Sequence, residues 1–330
     1  MATRLLEATE RSLMSATLRR LAEQFDGEQL STALADFGFA DLLATEPRAA
    51  VSTLFDALGR AGTTSAALQD VLLLPLTGVL PQGTAGHSVV LPAPGAQLVG
   101  AAEATSVALR GLVIGQRPST AFLAPVARRG GTVWVRVADP SLLSCRPVAG
   151  LDPALSMTEI TAAGVPATIV GSAESAATTW DAVASAGRRA LGYQIVGAVG
   201  QMIELATAHA RDRVQFGRPI GSFQGVRNRL ADAYVEREVA AAALELAWEA
   251  DDEYLAGMLA KSLAGRAARI AATHCQQVLA GIGFTAEHPF RRFLARALVL
   301  DSVLGSAAEL PRAIGGRLVS AGTIPRLVEL

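Results

Sequence analysis

The histidines His87, His209, His274 and His288 and the cysteines Cys145 and Cys275 are the residues best suited to ligate metal or act as nucleophiles. Their spacing suits neither task. There is no Cys-x-x-Cys, no paired histidine spacing, no Gly-x-Ser-x-Gly turn and no phosphate-binding loop. One stretch is chemically denser: Arg211-Asp212-Arg213-Val214-Gln215-Phe216-Gly217-Arg218-Pro219-Ile220-Gly221-Ser222-Phe223-Gln224-Gly225-Val226. Taken alone, Arg213 and Phe216 could simply end a helix and pack a turn, with Ser222 capping the next helix. A second stretch, Gln277-Val278-Leu279-Ala280-Gly281-Ile282-Gly283-Phe284-Thr285-Ala286-Glu287-His288-Pro289, is equally rich in glycine. Of the carboxylates, Asp301, Glu309, Glu204 and Glu245 could serve as bases, and each could equally be solvated or salt-bridged.

Helices must position these stretches. Leu191, Ile195, Val199 and Met202 form one stripe on a helix of about 38 residues, some 57 Å long. Further helices are predicted over Gln224 to Ala250, Glu253 to Gly281 and Pro289 to Leu304, an up-and-down bundle. Before them, short β-branched runs (88–91, 111–114 and 132–137) alternate with Gly and Pro turns, which predicts a small antiparallel barrel or sandwich. Residues 1–66 are helical in pattern, with Leu5, Leu13, Leu18 and Leu21 at helical spacing, and Ala49 to Leu58 forming a further helix. The predicted class is α+β and mainly α: an N-terminal helical domain over 1–66, a central β domain over 67–172 and a C-terminal four-helix bundle over 173–330.

Composition narrows the function. Hydrophobic residues make up 51% of 330 residues, and 29 Lys+Arg against 30 Asp+Glu leave a net charge of -1. That balance excludes disorder and offers no electrostatic footprint for nucleic acid or an anionic membrane. The most apolar run, 71–80, contains Pro75 and Gly78 and is too short to span a bilayer. Early acidic residues and the lack of an apolar core argue against a secretory signal, and two distant cysteines fit reduced thiols in the cytoplasm.

The Arg211–Val226 stretch resembles the signature of the acyl-CoA dehydrogenase family, Arg-x-x-Phe-Gly-x-Pro-Ile-x-x-Phe-Gln, which joins two bundle helices. The Gln277 stretch is similar to the family's Gln-x-x-Gly-Gly-x-Gly-Phe block, with Ala280 in place of the first glycine. Leu151 to Glu159 with Gly164-Val165-Pro166-Ala167 is a weaker match to the family's last β-domain strand. The resemblance implies an FAD site at a subunit interface, with Arg213, Phe216 and Gln224 reaching a neighbour's flavin. Gln277 and Gly281 would lie along its adenine side. An arginine fork suits a pyrophosphate, a phenylalanine offers a flat apolar face, and glycine admits close approach. Arg188 matches a family arginine near the active site, or is an interface arginine beside Arg189.

The same resemblance exposes a loss. The family's base, a carboxylate that removes the substrate α proton, falls at Leu304 here. In a minority of members it precedes the family arginine, which is Gly187 here. No counterpart of the family's Thr-Glu-Pro-x-Ala-Gly-Ser-Asp motif lies between Leu80 and Val137, and the segment from Thr77 to Val107 is short for the family. The resemblance is therefore to the short, base-less chain of actinobacterial α2β2 dehydrogenases that desaturate steroid-derived acyl-CoA. Its implied partners are a full-length homologue, an acyl-CoA substrate and an electron-transfer flavoprotein. Two alternatives stand beside it: a complete enzyme with a relocated base such as Asp301, and a non-enzymatic protein that binds acyl-CoA or has only a structural role.

Overall fold

A computed structural model describes residues 8–80, 83–115 and 119–322; Leu5 lies outside them. The N-terminal segment is α1 (Ala8–Gln24), α2 (Gly27–Phe37), α3 (Phe39–Thr45), α4 (Pro47–Ala61) and α5 (Ala67–Leu73). The Asp26 carboxylate accepts from the Gly27 and Thr64 amides at 2.8 and 2.7 Å, capping α2 and fixing a later turn at once. Gly38 ends α2 with φ +80°, a left-handed turn that glycine adopts without strain. The third helix expected at Ala49 to Leu58 is the fourth, α4, and opens on Pro47.

The β region holds β1 (His87–Val89), β2 (Leu91–Pro92), β3 (Gly100–Ala102), β4 (Ser106–Ile114), β5 (Ala121–Arg128), β6 (Gly131–Val137), β7 (Ser144–Pro147), β8 (Met157–Pro166) and β9 (Thr168–Val170). They join in the order β7-β8-β4-β3-β5-β6-β9, with β1 added to β5 and β2 to β4. Two expectations are corrected. The sheet is mixed, because β1 and β3 run parallel to β5. Among the described residues no pairing joins β7 to β9, so hydrogen bonds do not close a barrel. The sheet instead folds over a shared core. The chain switches neighbours at Val90, bonding first to β5 and then to β4. Alternation then sends Val107, Leu109, Val113, Phe122, Ala124, Val133 and Val135 inward. On the opposite face of β6, Trp134 is buried and its indole N–H donates to the Ala176 carbonyl at 3.3 Å.

The last part is helical: α6 (Ala173–Asp212, 40 residues), α7 (Gln224–Leu246), α8 (Glu253–Leu279), α9 (Phe290–Ser302) and α10 (Leu310–Ala321). A small hairpin, β10 (Val214–Gln215) with β11 (Arg218–Pro219), interrupts α6 and α7. The predicted stripe Leu191, Ile195, Val199 and Met202 is wholly buried. Helix α8 buries Ala260, Ala264, Ala267, Ala268 and Ala271, small residues that let neighbouring helices approach closely. Leu310 and Ile314 of α10 pack with Leu255 and Met258 of α8.

Packing sorts the chain into two compact units. One holds residues 8–11, 24–50 and 63–187; the other holds 12–23, 51–62 and 188 onward. No described helix is long and apolar enough to cross a membrane.

Candidate functional site

In the second unit the hairpin ending α6 is held from both sides. The Arg213 amide donates to the His209 carbonyl at 2.9 Å, and the Arg213 carbonyl accepts from the Ile220 amide at 2.8 Å. The intervening turn, Phe216-Gly217, has φ +53° and +78°. Two left-handed residues match the twist of a tight hairpin, but only glycine adopts this without cost. Phe216 therefore holds an unfavourable backbone while its ring is 93% exposed. That exposure argues against a turn-packing role. The ring meets Phe223 edge-on at 6.1 Å, and the Arg218 guanidinium lies 4.3 Å over Phe223.

Arg213, Phe216, Gln277 and Gly281 line one groove of about 770 Å³. Gln224 is exposed at the start of α7 and is not on the groove wall; Phe223, Gly225 and Val226 are. Ser222 does not cap α7. Its hydroxyl donates back to the Pro219 carbonyl at 2.8 Å, and the cap position is Phe223, with no side-chain bond. The groove also takes in His209 and Arg229, which the sequence motifs did not single out. One helical turn before Arg213, His209 could have been found by its i, i+4 spacing. Burial, with His288 and Arg213 nearby, holds the His209 ring below the usual histidine range.

The groove fits a dinucleotide by three observations. The Arg213 side chain is exposed and has no ion-pair partner among the described residues. A Cβ placed on Gly225 or Gly281 would meet no atom within 4 Å, so the chain's own packing does not require these glycines. Ala280, beside Gly281, sits at φ +53°, ψ −136°, a conformation suited to glycine.

The positions expected for a base are different in kind. Leu304 is buried, at φ +58°, and its carbonyl accepts from Arg188 Nε at 3.0 Å. The Arg188 guanidinium lies 4.7 Å over the Tyr254 ring, and its buried Nη1 has no hydrogen-bond partner. Gly187 lies within α6 and offers no side chain. Asp301 is buried with both oxygens engaged: Oδ2 pairs with Arg269 at 3.0 Å, and Oδ1 accepts from the Ala307 amide at 2.9 Å. Lys261 Nζ donates to the Asp301 and Gly305 carbonyls at 3.0 and 3.2 Å. These bonds make Asp301 the anchor of the turn after α9. Of the other acids, Glu309 accepts from the Ser306 amide and hydroxyl, which hold its carboxyl below the usual range. Glu204 pairs with Arg60, and Glu245 accepts from the Tyr193 hydroxyl. No group of three or more possible metal ligands occurs among the described residues.

Residues 181–318 match the family model described as the acyl-CoA dehydrogenase C-terminal domain. The match covers less than half of the chain, and the fold is that of acyl-CoA dehydrogenases. The chain is also similar to the acyl-CoA dehydrogenase IpdE2 of Mycolicibacterium smegmatis, 35% identical over 114 residues, which are 34% of this chain and 36% of that protein. IpdE2 of Mycobacterium tuberculosis is 36% identical over 122 residues, 37% of this chain and 38% of the relative. The aligned segments thus span little more than a third of these relatives. Among solved structures, the steroid ACAD Tcur3481-Tcur3483 superposes with a TM-score of 0.79 at 19% identity, covering 95% of this chain and 99% of that one. The ChsE4-ChsE5 complex from Mycobacterium tuberculosis gives 0.78 at 21%, covering 98% and 100%. At these identities the likeness is one of fold.

Proposed function

We propose that this chain is the base-less subunit of a cytoplasmic, heterotetrameric α2β2 acyl-CoA dehydrogenase, and that its Arg213 groove completes an FAD site shared with a full-length homologue. One observation carries the reading. The groove keeps an exposed arginine and aromatic with open glycine backbone, while both base positions hold Leu304 and Gly187. When bound, FAD supplies the hydride acceptor for α,β-desaturation of an acyl-CoA. This chain's part is binding and orientation. Arg213 offers a fork to the pyrophosphate. The faces of Phe216 and Phe223 cover apolar ring surface. Gln277 supplies a donor and an acceptor, and the backbone at Gly281 admits close approach. Gln224, exposed beside the groove, can reach a ligand only from its rim. The α-proton then goes to a carboxylate of the homologue. The structural neighbours, a steroid ACAD and the ChsE4-ChsE5 complex, support a bulky steroid-derived acyl-CoA and a heteromeric assembly. An electron-transfer flavoprotein is the proposed acceptor of the complex.

The test is co-expression with a full-length homologue and measurement of flavin absorbance per complex. Arg213→Ala removes a charge-assisted pair worth about 2 kcal/mol, so flavin affinity should fall roughly 30-fold. Unchanged occupancy would overturn the groove's role. Acyl-CoA-dependent bleaching of the chain purified alone would show instead that it carries its own base.

A further inference from the structure

The groove beside Arg213 carries more basic side chains than the one fork. His209 stands one turn before Arg213, near the end of α6, and Arg229 joins them from α7. His209 is half-buried and both arginines are exposed. None of the three side chains has a hydrogen bond or ion pair among the described residues. No acidic residue is among those that line the groove. The backbone that carries Arg229 is fixed, because its carbonyl accepts from His274 Nδ1 of α8 at 2.9 Å. Converging cations with no acid among them repel one another until an anion comes between them.

A pyrophosphate presents a charge on each of two phosphates, and a single guanidinium fork answers one of them. We infer that His209 and Arg229 are further phosphate-binding residues of this groove, and that His209 makes its hold on a diphosphate tighten as pH falls. The inference rests on the flavin reading of the groove. Burial, His288 and Arg213 keep the His209 ring below the usual histidine range, and Asp212 acts the other way. The His288 Nδ1 accepts from the Phe290 amide at 3.3 Å, so its Nε2 carries the proton. Arg229 is the remaining charged group on the groove wall. Without an anion His209 is therefore neutral at neutral pH. Two phosphates beside it favour the charged ring, so binding takes up a proton. A ligand that binds with uptake of a proton binds more tightly at lower pH.

The test is titration of FAD into the deflavinated complex with the full-length homologue, read by flavin fluorescence between about pH 6 and about pH 8. With the native chain, affinity should rise about tenfold towards the acid end. His209→Gln should hold it at the weaker level throughout. His209→Arg should hold it at the tighter level throughout, which a ring that only packs the wall would not produce. Arg229→Gln should weaken binding about tenfold at every pH and keep the slope. A flat native profile, a slope that survives His209→Gln, or an unchanged affinity in Arg229→Gln would overturn the inference, while a loss of affinity in Arg213→Ala would leave the flavin reading standing. Unchanged affinity in Arg213→Ala would remove that reading, and this inference with it.

Discussion

Lys261 is the single lysine of the sequence, and its ammonium is wholly buried. An ammonium suits the site because it can donate to two carbonyls at once while standing 3.9 Å from Asp301 Oδ1. Burial outweighs that carboxylate and lowers the lysine to about 8. A lowered folded value means that stability from this group is present above the unfolded value of 10.5 and is lost as pH falls towards 8. Cys275 acts in the opposite sense. Burial pushes its thiol up to about 12, so its contribution is complete below 9 and is lost as pH rises towards 12. Chemical denaturation between pH 8 and 11 should show Cys275→Ala steepening the alkaline gain in stability and Lys261→Met abolishing it. Asp301→Ala leaves Lys261 and Arg269 facing an empty partner position and should cost about 3–5 kcal/mol, read as a fall in Tm. Ala280→Gly should stabilise by about 1 kcal/mol, because glycine takes φ +53°, ψ −136° without a Cβ clash.

At the scale of elements, α4 and α6 cross with their backbones in contact. A Cβ on Gly59 would lie 2.1 Å from the Gln194 carbonyl oxygen, and one on Gly197 would lie 2.2 Å from that of Asp56. Neither backbone can yield without separating two helices. Gly59→Val or Gly197→Val should therefore each destabilise by about 3 kcal/mol or more, measured by urea unfolding. Arg60, bonded to both Asp56 and Glu204, ties the same pair of helices from the surface. The crossing could not be read from the sequence, because a glycine inside a helical pattern marks close approach only once its neighbour is known.

For the whole molecule, most of the exposed large apolar residues lie in the helical unit, among them Phe216 and Ile282 on the groove and Tyr234, Val235, Val239 and Leu246 on α7. Such surface marks contact with other molecules. At the groove the expected contact is a flavin-bearing homologue. Arg213→Ala should therefore lower flavin content at constant mass of the complex, read by absorbance and light scattering.

The sequence alone determined the class, the long α6 with its apolar stripe, the Arg213-to-Gln224 joint between α6 and α7, and the absence of a carboxylate at Leu304 and Gly187. Each is local: helical period, a gapless motif, or a residue type at a position. The tertiary structure decided what depends on distant segments. It made the sheet mixed, because β1 and β3 run parallel to β5. It brought Gln277 and Gly281, some sixty residues downstream, against Arg213 and Phe216, and it set Gln224 outside the wall they form. It also buried Asp301 and tied it into the turn after α9, each of its oxygens accepting a hydrogen bond, one from Arg269 and one from the Ala307 amide.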